Sequence, residues 1–406
     1  MSISPKQRFL DVCHFKRPGD LYMLSTFVQG NIPWAETPPK WIEQGAPKEM
    51  VKLSFFADYF QFQHVPWLTE IRSGVNAGMD WWEEETYRGR TVNIHGIEMG
   101  LDSGDPTVPN FKPKFISEDE RTVTLLRASG QTIRYLKSDP TGMPMFLDWP
   151  IKDRATWNEF KKRLDPHTPE RYPADWKAYV QKMNSKSEPL SLAVGSFFGF
   201  LRDWVGMERL LYMFYDDPVL VEDMMEHMLY METEVIKHTL KDIKVQQATF
   251  WEDMCYKSGP MISPAMVRKF MMPRYKKVTD LLHSYGVDVV YLDCDGNVSE
   301  LIPLWLESGI NLLWPFEVAA GNDAVAIRKK YGKDLIISGT IDKRALVKGK
   351  AAIKEEVMSK VPFLLKQGGY LPSADHLVPP DVTFENYCYF VNLMREVAGL
   401  EKLSFQ

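Results

Sequence analysis

No apolar run in this 406-residue chain approaches the ~20 residues that a membrane-spanning helix requires, so a membrane span is not expected. The opening MSISPKQRFLDVCHFKRPGD is charged within its first ten residues and holds no apolar core, so a signal peptide is not expected and the expected location is the cytoplasm. A basic cluster is also missing. Lys and Arg number 49 against 54 Asp and Glu, and the net charge of −5 is spread along the chain. Neither nucleic acid nor an anionic membrane surface is therefore expected as a partner. Cysteine is scarce: Cys13, Cys255, Cys294 and Cys388 lie far apart and form no C-x-x-C pair, the pattern of reduced thiols rather than of a disulfide framework. No glycine-rich dinucleotide loop or P-loop follows any apolar run, which weakens the case for a doubly wound open sheet.

What the chain does hold is an ordinary globular composition, 45% hydrophobic and 25% charged, enough for one large barrel or two average domains. Aromatic residues are plentiful, with 12 Trp, 17 Tyr and 22 Phe. They read first as core and interface mass, and second as the lining of a pocket for a flat apolar ligand. A first helix is expected over residues 5–15 and a short buried strand over 21–27. A long loop rich in Pro and Trp, NIPWAETPPKWIEQGAP, follows. Residues 86–149 alternate apolar and polar positions between Gly and Asp-Pro turns, the period of antiparallel hairpins. They read as a β-rich insertion within a single catalytic domain spanning residues 1–406.

From Ser191 onward strand and helix alternate. SLAVGSF, QQATFWED, VDVVYLDCDG, INLLWPFE, DLIISGTID and GGYLPSADH are near-continuous apolar runs. Each is followed by helical sequence, with Asp217 and Pro218, Ser263 and Pro264, and Thr383 as helix starts. Apolar strands separated by helices mean a parallel sheet covered on both faces, and the expected fold is an α/β (β/α)8 TIM barrel.

The runs end in ionisable residues. Glu252 and Asp253 end one, and Asp293, Cys294 and Asp295 the next. Glu317, Asp342, and Asp375 with His376 end the others. In a parallel barrel these ends share the rim where barrel enzymes do chemistry. A single Asp after a strand is commonly a helix cap, but five such ends in succession point to an active site. Alternation along YLDCD turns Asp293 and Asp295 to one side and Cys294 to the other. Two carboxylates that close require either a proton on one of them or a cation between them. His376, with Glu252 or Glu317, could complete an O,O,N set for a divalent ion such as zinc. The alternative for Asp295 is a tight turn with Gly296 and Asn297 that caps the next helix. Asp375 can orient His376 as an acid-base, or His376 can act alone.

The segments SFFGFLRDWVGME, FWEDMCYKSGPMISP, YLDCDGN, PFEVAAG, ISGTIDKR and GGYLPSADHLVPP resemble the uroporphyrinogen decarboxylase superfamily, and PKQRFLDVCHFKRPGD resembles its opening segment. The resemblance implies either a tetrapyrrole decarboxylase or a methyltransferase that exchanges methyl groups with a corrinoid. The decarboxylases open with an R-Q-A-G-R segment that grips substrate carboxylates. Here that region reads STFVQGNIPW. Their late G-H-G-I histidine falls at Asp375 or His376. The methyltransferases hold zinc with an H-x-C pair and a late Cys, and here those positions are Asp293, Asp295 and Asp375. The resemblance thus implies an oxygen-rich site that activates an oxygen or nitrogen leaving group, with Asp375, His376 and Glu317 in catalytic roles. It further implies a small methyl donor, such as a methoxylated aromatic, and a partner protein carrying the corrinoid. A homodimer is compatible with it. A decarboxylase and a non-catalytic ligand-binding barrel are the competing readings.

Overall fold

The computed structural model describes residues 3–25, 31–34, 36–73, 91–94, 97–100, 104–139 and 143–405. Its centre is a six-stranded parallel sheet of Ser191–Ala193, Gln247–Trp251, Val289–Asp293, Leu312–Trp314, Ile336–Ile341 and Tyr370–Ala374. The strands neighbour one another in the order in which they occur in the chain. Helices connect them, among them Pro218–Leu240, Met272–Ser284, Ala324–Tyr331 and Lys350–Gln367, and Phe384–Val397 follows the last. Sequential parallel strands need such crossovers, because a tight turn can only join antiparallel neighbours.

The expected helix starts have a local cause that the side chains show. Asp217 accepts from the Leu220 amide, Ser263 from Met266 and Thr383 from Asn386, each satisfying a first-turn N–H that lacks a partner within the helix. The helix begun at Ser263 is not uniform. A π-helical turn, Val267–Met271, precedes the regular helix, in whose first turn Pro273 has no N–H to offer.

Two expectations in the N-terminal part are corrected. The strand over 21–27 is reduced to a single parallel bridge between Leu24 and Gln63, and residues 26 and 27 lie outside the described ones. The Pro-Trp loop contains a helix, Thr37–Glu43, because both of its prolines sit in the first turn, where the missing N–H costs nothing. Single parallel bridges also join Trp67 to Ser191 and Pro33 to Val378. Six of the eight expected strands thus pair as ladders, and the segments around Leu24 and Gln63 pair only by bridges.

Residues 114–148 form an antiparallel sheet of Lys114–Glu118, Thr122–Leu126, Thr132–Leu136 and Met145–Asp148, with a hairpin Thr91–Ile94 and Ile97–Gly100 nearby in the chain. Val123, Leu125 and Ile133 make its small core, against which Ile94 packs. Residues 86–90, 95–96, 101–103 and 140–142 of the expected β-rich segment lie outside the described ones. No helix among the described residues is long and apolar enough to cross a membrane.

The two faces of the parallel sheet bury different partners. Val290, Leu292, Ala248, Phe250, Leu313 and Ile337 belong to the large core that includes the helices. Val289, Tyr291, Leu312, Trp314, Ile336 and Leu371 face a second core shared with Phe9, Tyr22, Leu24 and Val65. This second face positions the site.

Candidate active site

Residues paired across parallel strands share a face, and along one strand the face repeats every second residue. Asp293 pairs with Trp251 on one side and Trp314 on the other. It therefore continues the Val289 and Tyr291 face, and the same period carries it on to Asp295 and, on the neighbouring chain segment, from Trp251 to Asp253. One carboxylate oxygen from each of Asp253, Asp293 and Asp295 lies within 4.8 Å of the others. Of the residues singled out in the sequence, Asp293 and Asp295 come together here. Asp253 is the member that sequence reasoning named only as a strand end.

Glu252 is not in this cluster. It sits on the opposite face, in line with Ala248 and Phe250, where it is fully buried. It accepts from Ser196 Oγ (2.8 Å), from the amides of Phe197 (2.9 Å), Phe198 (2.7 Å) and Gly199 (3.2 Å), and from Tyr275 Oη (2.7 Å). Its role in the structure is to anchor the segment entering the helix Gly199–Val205. The alternation that separated Asp293 from Cys294 also separates Glu252 from Asp253, since Gln247 and Thr249 share the face of Val289 and Tyr291.

The cluster is acidic, with Asp293 buried and Asp253 and Asp295 partly exposed. Asp293 is 4% exposed. Its carboxyl is pushed well above the usual range by burial and then by Asp253 and Asp295, and no hydrogen bond offsets the shift. Burial, Asp253 and Glu317 push Asp295 up to about 8. Asp253 is also raised, chiefly by burial, and is eased by Arg202 and by the Asp295 amide, which donates to it at 3.1 Å. Arg202 stacks its guanidinium over Trp251 at 4.9 Å, donates to the Asp253 carbonyl at 2.8 Å and approaches the Asp253 carboxylate at 4.0 Å.

His376 stands beside the cluster, with Nε2 3.6 Å from Asp295 Oδ2. Its ring is stacked on Trp34 and tilted against Trp314, each 5.7 Å between centroids. Burial, then the charge of Lys343, lowers its pKa to about 4. Glu317 accepts from the Gly296 amide (2.9 Å) and pairs with Lys343 Nζ at 3.3 Å. Asp375, 1% exposed, accepts from the amides of Val318 and Lys343, both at 2.9 Å, with Lys343 Nζ at 3.8 Å. It thereby braces the segments that follow two neighbouring strands. Asp342 instead caps the short helix Lys343–Val347 through the Arg344 amide.

Backbone strain gathers at the same strand ends. Asp253 (φ 42°), Phe316 (φ 56°) and Thr340 (φ 84°) are non-glycine residues in the left-handed region. Each costs of order 1–3 kcal/mol, and such residues concentrate at functional sites. Trp34 and Arg202 are further rim residues that the sequence did not single out. They sit on a loop and a helix, where no period-2 signal marks them.

A sequence model of the family described as "Uroporphyrinogen decarboxylase (URO-D)" matches residues 122–397. The match contains Arg202 and all the rim carboxylates, but not Trp34. No curated protein sequence matches the chain significantly. Among solved structures, a methyltransferase from Methanosarcina mazei is similar at a TM-score of 0.54 and 13% identity, covering 97% of this chain and 99% of that one. At that identity the likeness speaks to the fold alone.

Proposed function

Because the chain belongs to the uroporphyrinogen decarboxylase family, whose model spans residues 122–397, we propose that it is a methyltransferase of that superfamily. It takes a methyl group from a small O- or N-methyl donor, such as a methoxylated aromatic, and delivers it to a corrinoid carried on a partner protein. In this reading residues 1–406 are one catalytic domain, residues 86–149 are a β-rich elaboration of it, and the bridges at Leu24, Gln63 and Trp67 mark the two remaining strands of a closed barrel.

The observation that carries the reading against decarboxylation is that the two cations beside the cluster are already engaged by the chain's own carboxylates. Asp253, Asp293, Asp295, Glu317 and Asp375 converge, while Arg202 and Lys343 are both engaged with carboxylates. A substrate rich in carboxylates would find both cations already paired, and burying its charges there without partners is costly.

A methyl group leaves with its carbon, and the electrons of the broken C–O or C–N bond stay on the heteroatom. The partner's corrinoid supplies the nucleophile for the methyl carbon. The chain's part is to seat the donor with its heteroatom at the acidic cluster, exclude water with Trp34, Trp251 and Trp314, and neutralise the departing atom. The raised pKa values of Asp293 and Asp295 mean that carboxyl protons are held in the cluster, where one can be passed to the departing heteroatom. His376, next to Asp295, is positioned to pass a proton to or from the product, with Glu317 and Asp375 holding Lys343 and the surrounding backbone.

Zinc was the expected ion, with His376 and Glu252 among its ligands. The donor set assembled here contains no nitrogen and no thiolate, and Glu252 is committed elsewhere. The residues do not fit that zinc site, and no step is routed through it.

The test is to incubate the purified chain with cob(I)alamin and a panel of methoxylated aromatics and N-methyl donors, and to follow methylcobalamin by absorbance. Turnover of a donor is expected, and Asp293→Ala or His376→Ala should lower the rate by about 100-fold. Conversion of uroporphyrinogen to coproporphyrinogen by the same protein would overturn the assignment.

A further inference from the structure

We propose that Asp253, Asp293 and Asp295 form an all-oxygen site for a hard divalent cation of the magnesium and manganese class, with His376 outside its coordination shell. The inference rests on the active site lying at this rim, not on the reaction being methyl transfer.

The first support is reach. Oxygens of three side chains lie within 4.8 Å of one another, and a cation bound ~2.0–2.6 Å from each of its oxygen ligands spans such a set with small side-chain rotations. The second support is independent of the clustering. Asp293 is buried to 4% exposure, and no donor among the described residues reaches its carboxylate. Asp295 Oδ1 is likewise buried without a hydrogen-bond partner. Buried carboxylate oxygens left unpaired are costly, and folded proteins pair nearly all of them.

The nearby cations do not meet this need. Arg202 directs its donors to Asp203 Oδ1 and the Asp253 carbonyl, and comes no closer than 4.0 Å to the Asp253 carboxylate. Lys343 Nζ is held between Glu317 and Asp375. One small ion between the three aspartates satisfies Asp293 and Asp295 together.

The donor atoms then decide the class of ion. Cys294 Sγ belongs to the other face, where it accepts from the Met254 amide at 3.3 Å. His376 is held by its stacking on Trp34 and Trp314, and its Nε2 faces Asp295 Oδ2, the outer side of the cluster. Three carboxylates, with water or a substrate oxygen in the remaining positions, make a hard-ligand site. Most divalent ions follow one affinity order whatever the oxygen or nitrogen site. Ligand identity, rather than preference among ions, is therefore the discriminating property.

The experiment uses the full chain after chelator treatment, titrated with Mn²⁺ while free Mn²⁺ is read by electron paramagnetic resonance. About one Mn²⁺ per chain is expected. Asp293→Asn and Asp253→Asn should each weaken binding by about tenfold or more, and His376→Ala should leave it within about twofold. The Co²⁺-loaded protein should show the weak visible absorption of an oxygen-ligated, six-coordinate ion. Absence of Mn²⁺ binding by wild type up to millimolar concentration would overturn the proposal, whatever the aspartate variants do. So would a loss in His376→Ala as large as in Asp293→Asn, or an intense four-coordinate Co²⁺ spectrum. None of these readouts uses methyl transfer, so a failure here is distinguishable from a failure of the proposed reaction.

Discussion

Glu232 lies in the helix Pro218–Leu240, fully buried, with Oε1 accepting from the Ser196 amide at 3.3 Å and Oε2 without a hydrogen-bond partner. Burial, and then the nearby Glu252, raise its carboxyl well above the ordinary 4.5. A raised folded-state pKa means that the native chain holds a proton that the unfolded chain has released. The corresponding stability is fully present below pH 4.5 and is lost as pH rises through the raised value. Glu232→Gln keeps the shape and removes the titration, so its melting temperature should exceed that of wild type at pH 8. The gap should close toward pH 4. Each unit of elevation corresponds to about 1.4 kcal/mol, and calorimetry across that range measures it. His227, in the same helix, has the opposite sign. Burial, then Lys161, lower its pKa below the ordinary 6.5, so its contribution is present above that value and lost as pH falls below it. His227→Phe should flatten that part of the pH–stability curve, and it preserves the edge-on ring contact with Trp157.

Among the elements, helix starts and strand ends respond differently to substitution. Asp217 caps a 23-residue helix by a single side-chain hydrogen bond, with its proline in the first turn. Asp217→Ala should cost about 1 kcal/mol in urea denaturation and leave Mn²⁺ binding unchanged, because the cap is remote from the aspartate cluster in its bonding. Gly339 is different. It holds φ +90° inside the strand Ile336–Ile341, and a Cβ there would collide with the carbonyl oxygen of Pro315. That oxygen accepts from the Thr340 amide at 3.1 Å, and Thr340 is itself in the left-handed region. Gly339→Ala should therefore lower stability by more than ~2 kcal/mol and perturb the site, since both the conformation and the space exclude a side chain. The strain at these strand ends is held by the strands on either side.

On the scale of the whole molecule, the two ends of the chain close on each other. Trp41 Nε1 donates to the Val382 carbonyl at 2.7 Å, Thr37 to the Val378 carbonyl at 3.0 Å and Asn31 to the Pro372 carbonyl at 3.1 Å, all across 341 positions of sequence. Tyr387 returns a hydrogen bond to the Asn31 carbonyl at 2.6 Å, and its ring packs on Trp41 at 4.8 Å. Trp41→Ala should cost about 3–5 kcal/mol in denaturant unfolding, the range for truncating a fully buried aromatic. A chain lacking residues 1–46 would uncover the sheet face now covered by Phe9, Tyr22 and Leu24. It should show no cooperative thermal transition. Contacts this distant in sequence must be closed against a large loop entropy, so folding of the intact chain should be slow for its size.

Much of this architecture follows from local sequence. The apolar runs after Ser191 determine a parallel sheet because each is long enough for a strand and each is followed by a helix. The caps at Asp217, Ser263 and Thr383 depend on residues within one turn of each other. The rim carboxylates are legible as strand ends for the same reason. The tertiary structure alone decides which of two adjacent acids faces the site. Period 2 separates Glu252 from Asp253, but only the register against Val289–Asp293 says which face is which. It also decides that Pro38 and Pro39 start a helix, and that the segment near Leu24 makes one bridge rather than a ladder. His376 beside Asp295 rather than among the three aspartates is a further case, because the rings of Trp34 and Trp314 that hold it come from remote parts of the chain. Local pattern carries the alternation of faces and the start of helices. Which faces meet depends on partners hundreds of residues away, and no local pattern contains them.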